Sequence, residues 1–155
     1  MKYRQLTKEQ FEELNHEFAL FLASQSIDIK EWNTIKKEKP KVAEEELNIF
    51  SDMVWEDVLT KTEYLDHYSK TIINLFKCNE LTIERIVIKV NWDINFFEER
   101  GMKWLLKNPF HNDVELFKGT KKYDKDRNVE LFQLIENGSI ITNGELFEQF
   151  KNVIS

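Results

Sequence analysis

IERIVIKVNW, residues 83–92, carries the strongest strand signal in the chain. Its apolar and polar residues alternate, and β-branched residues are concentrated in it, which is typical of a strand with one face in a core. The two alternating sets are Ile86, Ile88, Val90 and Trp92 on one face, and Arg85, Lys89 and Asn91 on the other. We therefore predict a strand here.

Three amphipathic helices are predicted before this strand. The first begins at Lys8, because Thr7 and Gln10 have the spacing of a capping box, and its apolar residues continue to Leu22 at steps of three and four. A second, shorter helix follows the same signal at Asp28 and Glu31, which are three residues apart. Pro40 suits the first turn of a third helix, whose apolar residues occupy two neighbouring faces.

The C-terminal half shows shorter and more mixed patterns. Residues 64–78 leave helix and strand open, with a preference for strand in 71–78. Asp93 is expected to cap a helix that ends at Asn108-Pro109, and Gly119 is expected to stop a strand over 114–117. Further elements are a helix from Asp126 to Asn137-Gly138, a strand over 139–142 and a helix capped by Asn143. For 131–142 a hairpin turning at Asn137-Gly138 is the open alternative.

Together these patterns predict an α+β fold, with a helical N-terminal half followed by short strands interspersed with helices. Strand and helix do not alternate regularly, so a doubly wound sheet is not expected. No repeat or flexible linker marks a boundary, and we predict a single domain over residues 1–155.

Composition and charge narrow the function classes. The 155 residues hold 22 basic and 28 acidic side chains, a net charge of −6, which argues against wrapping nucleic acid over a large face. The single Cys78 allows no internal disulfide, and neither a signal peptide nor a membrane span is expected. We expect a cytoplasmic protein.

The sequence resembles a known group of proteins. Three runs carry the resemblance: MKYRQLTKEQFEELNHEFALFLASQSIDIKEW at the start, then RIVIKVNW and ELFQLIENGSIITNGELFEQF. They are similar to members of an uncharacterised family of small bacterial proteins, a domain of unknown function, over nearly the full length. The resemblance implies a bacterial cytoplasmic protein and supplies no active residues.

One segment stands out by its positive charge in this acidic chain. A loop is expected after the 114–117 strand, with a helix beginning behind it, and such a loop could hold phosphate or RNA backbone. Its candidate anion- or RNA-binding residues are Lys118, Lys121, Lys122, Tyr123, Lys125 and Arg127, with Tyr123 available for stacking. The alternative interpretation is a charged loop whose lysines keep it in solution.

A second candidate surface lies on the third helix. Glu45, Asn48, Asp52 and Glu56 recur at steps of three and four, so they share one face that could bind a cation or a basic partner. Trp55 is one of four tryptophans, some of which could remain exposed for docking. The alternative interpretation is a solvated face and a core tryptophan.

No catalytic, metal or nucleotide motif is complete. Glu13 and His16 form one Glu-x-x-His pair, whereas a di-iron site needs two. Asp66, His67 and His111 are the residues from which an enzyme site could be built. No glycine-rich phosphate loop occurs, and neither a metal nor another cofactor is expected.

The leading interpretation is therefore a non-enzymatic interaction or accessory protein, whose partner is another protein or a second copy of the chain. The first alternative is an RNA- or ribosome-associated factor that uses the basic segment 118–127. The second alternative is a small enzyme with an unrecognised site.

Overall fold

The structure is a computed structural model that describes residues 1–154. The chain divides into two compact units, one from Met1 to Thr60 and one that begins at Lys61. The boundary falls at the end of the third predicted helix. The prediction of a single domain stays a prediction, and the two units are described separately.

The first unit is helical. Its elements are α1 (Lys8–Glu13), α2 (Asn15–Ala23), α3 (Ile29–Glu38) and α4 (Pro40–Lys61), whose last residue lies beyond the unit boundary. The capping box at Thr7 is confirmed, since Gln10 N donates to Thr7 Oγ1 and Thr7 N donates to Gln10 Oε1. Asp28 likewise accepts from Glu31 N at 2.7 Å. One expectation is wrong, because the first helix is interrupted at Leu14, where ψ is 20°.

Aromatic rings fill the interior of this unit. Phe18 meets Trp32 edge-on, with ring centroids 5.3 Å apart, and Phe50 edge-on at 5.0 Å. Phe11 and Phe21 also pack against Phe50. The apolar spacing of the helices therefore serves a core made of rings, as the amphipathic pattern predicts.

The second unit is built around an antiparallel sheet. Its strands are β1 (Tyr64–Tyr68), β2 (Ile72–Cys78), β3 (Thr82–Val90), β4 (Val114–Lys122) and β5 (Ile140–Thr142), and its helices are α5 (Glu99–Lys107), α6 (Arg127–Glu136) and α7 (Glu145–Ile154). The spatial strand order is β4-β3-β2-β1-β5. The predicted α+β class, with its helical N-terminal half, is confirmed, and so is the strand over 83–92 apart from its last two residues.

The strand register shows which residues lie on each face of the sheet, because directly paired residues point to the same side. One face, here called the closed face, includes Leu75 and Ile86 and packs against Leu105 of α5 and Phe147 and Phe150 of α7. The other, the open face, includes the rows Leu65–Phe76–Arg85–Gly119 and His67–Asn74–Val87–Phe117. Burial on the open face decreases from β1, where Leu65 is fully buried, to β4, where Phe117 is 53% exposed.

Two local expectations differ from the structure, and one open region is resolved by it. Gly119 does not stop β4, which runs on to Lys122, because β3 supplies a pairing partner for each of its nine residues. Residues 64–68 form β1, and the preference for strand in 71–78 is confirmed by β2. Asp93 does not cap α5, which begins six residues later at Glu99.

The open question at 131–142 is settled in favour of a helix. Gly138 has a φ of 106°, Gly138 N donates to Ile135 O, and Ser139 N donates to Leu134 O. This pair of bonds is a Schellman motif, which needs the left-handed conformation that glycine adopts easily. The motif ends α6 and sends the chain into β5, so no hairpin forms at Asn137-Gly138.

Candidate functional site

Helix α6 is anchored at its beginning by Arg127. The Arg127 guanidinium donates to the carbonyl oxygens of Thr62 at 2.6 Å, Cys78 at 3.1 Å and Asn79 at 3.0 Å. Asp126 caps the helix by accepting from Val129 N. These bonds tie the start of α6 to the start of β1 and the end of β2. At the other end of α6, a Cβ atom built on Gly138 would lie 3.4 Å from Nε2 of His67 on β1, so the helix lies over that half of the open face.

Beside α6, the open face over β3 and β4 forms a cleft of about 630 Å³. This volume lies in the range of pockets that bind ligands in proteins. Its apolar lining comes from the sheet and from α6: Phe76, Ile83, Val87, Phe117 and Leu134. Its polar lining includes Arg85, Lys121, Glu130, Gln133 and Asn137. We call it the α6 cleft.

Arg85 is the positive charge on the floor of the α6 cleft. Its Nε and Nη2 both donate to Asn74 Oδ1, at 3.0 and 2.6 Å, and its guanidinium lies over the Phe76 ring, 5.8 Å from the centroid. A guanidinium has five N–H donors, so this arrangement fixes its plane and leaves donors for a ligand. The fork geometry of those donors suits a carboxylate or a phosphate.

Glu130 and Lys121 form one rim of the α6 cleft. Lys121 Nζ lies 3.1 Å from Glu130 Oε1 and 2.9 Å from Asp124 Oδ2. These bonds raise the pKa of Lys121, and Lys121 lowers the pKa of Asp124. Glu130 Oε2 is buried and accepts no hydrogen bond from the residues that the structure describes. A buried oxygen in this state can take a donor from a bound molecule.

Comparison with known proteins identifies the family. The profile of a family of unknown function, DUF6495, matches residues 1–155. The chain belongs to that family. No curated protein and no solved structure matches it. Membership of DUF6495 therefore assigns no ligand and no reaction to the chain.

The predicted basic residues of this DUF6495 chain do not form one loop. Lys118, Lys121 and Lys122 lie on β4, and strand alternation puts Lys121 on the open face and the other two on the closed face. Tyr123 donates its hydroxyl to Asn79 O, and burial raises its pKa to about 12. The expectation of a loop over 118–122 is wrong, because these residues pair with β3. Whether any of the six residues binds RNA stays a prediction.

Arg127 and Lys125 complete the predicted basic set. Arg127 gives its donors to carbonyl groups of the fold, as described above, so its environment is that of a structural residue. Lys125 is exposed in the short connection between β4 and α6. Lys118, Lys122 and Lys125 form no ion pair with any residue between 1 and 154.

The acidic face of α4 in the first unit is contacted by the chain's own N-terminal segment. Asp52 accepts from the backbone N–H groups of Lys2 and Tyr3, at 2.7 and 2.9 Å. Glu56 accepts from the Tyr3 hydroxyl and from Lys2 Nζ. Two of the predicted partner-binding residues thus bind the polypeptide itself.

The other two residues of that prediction lie in contrasting environments. Trp55 is buried, with the Arg4 guanidinium 4.8 Å from its ring centroid, whereas Glu45 is exposed. Asn48, on the same face, accepts from Gln5 Nε2 at 3.0 Å. A role of this face in binding another protein stays a prediction. Such a protein would also contact residues 2–5, because they cover part of the face.

The candidates for an enzyme site are dispersed. Asp66 and His67 are neighbours on β1 and point to opposite faces, and buried Asp66 accepts from the hydroxyls of Tyr68 and Thr142. Burial raises the pKa of Asp66. His111 packs against the rings of Trp92 and Trp104.

The Glu-x-x-His pair of the first unit is exposed, and the single cysteine is buried. His16 and Glu13 are exposed on the first unit, and no group of three His, Cys, Asp or Glu side chains in residues 1–154 could hold a metal ion. Cys78 is buried, and burial raises the pKa of its thiol to about 12. No helix among these residues is both long and apolar enough to cross a membrane.

Lys118 and Lys121 line the α6 cleft and were predicted as site residues, but sequence reasoning missed the other residues that line it. The alternation correctly puts Arg85 on the polar face of its strand, but its partner Asn74 is 11 residues away on another strand. The signal that could have found them is the open-face alternation of β3, where Val87 follows Arg85 at a spacing of two.

Proposed function

We propose that this protein is a non-enzymatic interaction protein of the bacterial cytoplasm, and that the α6 cleft binds an acidic amphipathic helix of a partner protein. The observation that carries the proposal is an apolar cleft with an orientated guanidinium, Arg85, on its floor. The bacterial and cytoplasmic parts rest on the sequence resemblance and on the single cysteine.

The shape of the second unit favours a helix as the bound element. Two helices, α5 and α7, pack on the closed face, whereas α6 lies over the β1 and β2 half of the open face. The space over β3 and β4 is where a second helix would complete the layer. Helices bind such grooves by inserting the apolar side chains of one face. The apolar side chains of the bound helix would contact Val87 and Phe117 first.

The charges in the α6 cleft favour an acidic partner. A partner carboxylate could take the remaining donors of Arg85 in a charge-assisted pair. A partner amide or hydroxyl could donate to Glu130 Oε2, which lacks a donor within the described residues. Both groups are thus available to a bound partner, and this supports a binding site rather than a purely structural cleft.

The groups near the α6 cleft also favour binding over catalysis. Cys78 is the one cysteine in the chain, and its thiol, with a pKa of about 12, is protonated at neutral pH. Lys121 is held by Asp124 and Glu130. Neither side chain is suited to act as a nucleophile in this arrangement.

The test uses a photo-crosslinking amino acid at Gln133, an exposed position on the α6 wall of the cleft. The full chain carrying it is expressed in the native host and irradiated, and the attached peptide is identified by mass spectrometry. We expect one protein segment with acidic residues and apolar residues at helical spacing.

Arg85→Glu, placed in the crosslinking chain, should abolish that adduct, because it puts a negative charge opposite the partner carboxylate. Arg100→Glu is the matched control, because it makes the same charge change at an exposed residue of α5, away from the cleft. An adduct that survives Arg85→Glu would overturn the proposal. So would crosslinking to RNA alone, or to segments without acidic residues.

RNA association remains the alternative function, on one specific observation. Lys118 and Lys122 lie on the same face of β4, four residues apart, and are exposed without ion pairs in the described chain. Such free ammonium groups are available to phosphates.

A further inference from the structure

Strand β4 is an edge of the sheet. It pairs with β3 over all nine of its residues, and no strand within residues 1–154 pairs with its other side. The opposite edge, β5, has only three residues. A long free edge presents backbone N–H and C=O groups at the spacing that another strand needs, so it is a natural site of strand addition.

The sequence of β4 is complementary to itself when two copies run antiparallel. If Lys118 of one copy lies opposite Lys118 of the other, Glu115 lies opposite Lys121 and Phe117 opposite Gly119, and each pair occurs twice. Opposite charges in directly facing positions stabilise a strand pair. Moving the centre by one residue to Phe117 puts Glu115 opposite Gly119, and moving it to Gly119 puts Phe117 opposite Lys121. Of these registers, only the one centred on Lys118 pairs the opposite charges.

Gly119 provides the space that this register requires. A Cβ atom built on Gly119 meets nothing within 4 Å, so the backbone there is bare on the open face. Phe117, which would lie opposite, is 53% exposed. An aromatic side chain across from an edge glycine covers such bare backbone. Arg85 lies beside Gly119 in the same row, so the second copy's Phe117 would also approach the guanidinium.

We propose that two copies of this chain associate through antiparallel pairing of their β4 strands, in the register centred on Lys118. Each copy then contributes its Phe117 to the α6 cleft of the other, at the side that Gly119 leaves open. The pairing follows a two-fold axis, as in most homodimers. This proposal does not depend on the helix proposed for the cleft.

Three features weaken the association. Lys121, which would face Glu115 of the other copy, is already paired with Asp124 and Glu130 of its own chain. The two Lys118 side chains face each other, and lysine on an edge strand commonly opposes strand addition. Both charges are exposed, so salt screens their repulsion. A single strand pair also forms a small interface, which is typical of weak and concentration-dependent complexes. We therefore expect a monomer–dimer equilibrium.

Sedimentation equilibrium of the full chain over a range of concentrations tests the proposal. The average mass should rise from that of the monomer towards that of the dimer as concentration increases. Glu115→Lys and Lys121→Glu, each alone, turn two attractive pairs into repulsive ones and should weaken association about tenfold. Glu80→Lys is the matched control for Glu115→Lys, because it makes the same charge change at an exposed residue in the turn before β3, away from the edge. It should associate as the parent does.

Mixing the two single variants tests the register itself. In a mixed pair, the lysine introduced at position 115 of one copy faces the glutamate introduced at position 121 of the other. The unaltered Lys121 and Glu115 also face each other, so every one of these charge pairs is attractive again and the dimer should return. A parent chain that stays monomeric at its highest soluble concentration would overturn the proposal. A mixture that associates no better than its separate components would overturn it too.

The dimer and the proposed function can fail separately. The dimer would bring β4 of the second copy to the side of the α6 cleft that Gln133 lines. A crosslink from Gln133 to β4 of another copy would therefore report strand pairing, whereas a crosslink to a helical segment of another protein reports the proposed function. A failure of strand pairing is therefore distinguishable from a failure of the proposed function.

Discussion

The two faces of the sheet in the second unit differ in how completely helices cover them. On the closed face, Leu105, Phe147 and Phe150 are almost fully removed from solvent. On the open face, α6 covers the β1 and β2 half, and the apolar and aromatic residues of β3 and β4 remain accessible. One face therefore serves stability, while the other retains apolar surface and hydrogen-bonding groups that a partner could use.

The largest expected effect is on the closed face. Phe147→Ala should lower the free energy of unfolding by about 3–5 kcal/mol, because it removes a buried ring and leaves a cavity. Phe117→Ala makes the same chemical change on the open face and should cost less than about 1 kcal/mol, since the ring is half exposed. Urea unfolding followed by circular dichroism measures both. Equal costs would mean that the two faces do not differ in the way we describe.

Arg127 tests whether the start of α6 is structural. Arg127→Met keeps the length of the side chain but removes its donors to the carbonyls of Thr62, Cys78 and Asn79, and should cost about 2–3 kcal/mol. Lys125→Met is the control, and should change stability by less than about 0.5 kcal/mol because Lys125 is exposed. Thermal unfolding of the two variants separates these outcomes. Similar stabilities would return Arg127 to the set of anion-binding candidates.

The contrast between Asp126 and Arg127 shows what the sequence could predict. Asp126 caps α6 through a neighbour three residues away, and Thr7, Asp28 and Gly138 likewise act through residues close in sequence. Such signals are local, so the helix starts marked by Thr7, Asp28 and Asp126 were predicted correctly, and the helix end at Gly138 was one of two predicted alternatives. Arg127 instead bonds to carbonyls 48 to 65 residues away, which no local pattern reveals.

The α6 cleft was missed for the same physical reason. Its floor joins residues of β2, β3 and β4, and the Arg85–Asn74 bond exists only once the strands are in register. At Gly119 the sequence instead predicted a feature that is absent. A local rule predicted that the strand ends there, but pairing with β3 continues the strand to Lys122. Composition could show that the chain holds surplus aromatic residues, but not which of them stay exposed.

Asp66 tests the cost of a charge at the closed face. Its native pKa is raised by burial, so the native protein holds this proton more tightly than the unfolded chain does. The free-energy penalty for ionising the buried Asp66 carboxyl is therefore absent below the unfolded pKa. It grows as the pH rises from the unfolded pKa to the native pKa, and it is complete above the native pKa. Asp66→Asn should stabilise the protein at neutral pH, and this gain should vanish as the pH falls below the unfolded pKa. Unfolding free energies of both proteins between acid and neutral pH measure the difference, and a gain that grows in acid would contradict it.

The smallest expected effect on stability comes from substituting the exposed lysines of β4. Lys118→Glu/Lys122→Glu should change the free energy of unfolding by less than about 0.5 kcal/mol, because both side chains are exposed. Strand alternation nevertheless predicts unequal effects on polyanion binding. Lys118 and Lys122 share the closed face, whereas Lys121 lies on the open face and is already paired with Asp124 and Glu130.

A titration with oligo(U) at low salt measures the difference. Lys118→Glu/Lys122→Glu should bind more weakly than the parent. Lys121→Glu/Lys125→Glu makes the same change in net charge and should bind more strongly than Lys118→Glu/Lys122→Glu. Equal losses would mean that net charge, rather than the face on which a lysine lies, controls the interaction.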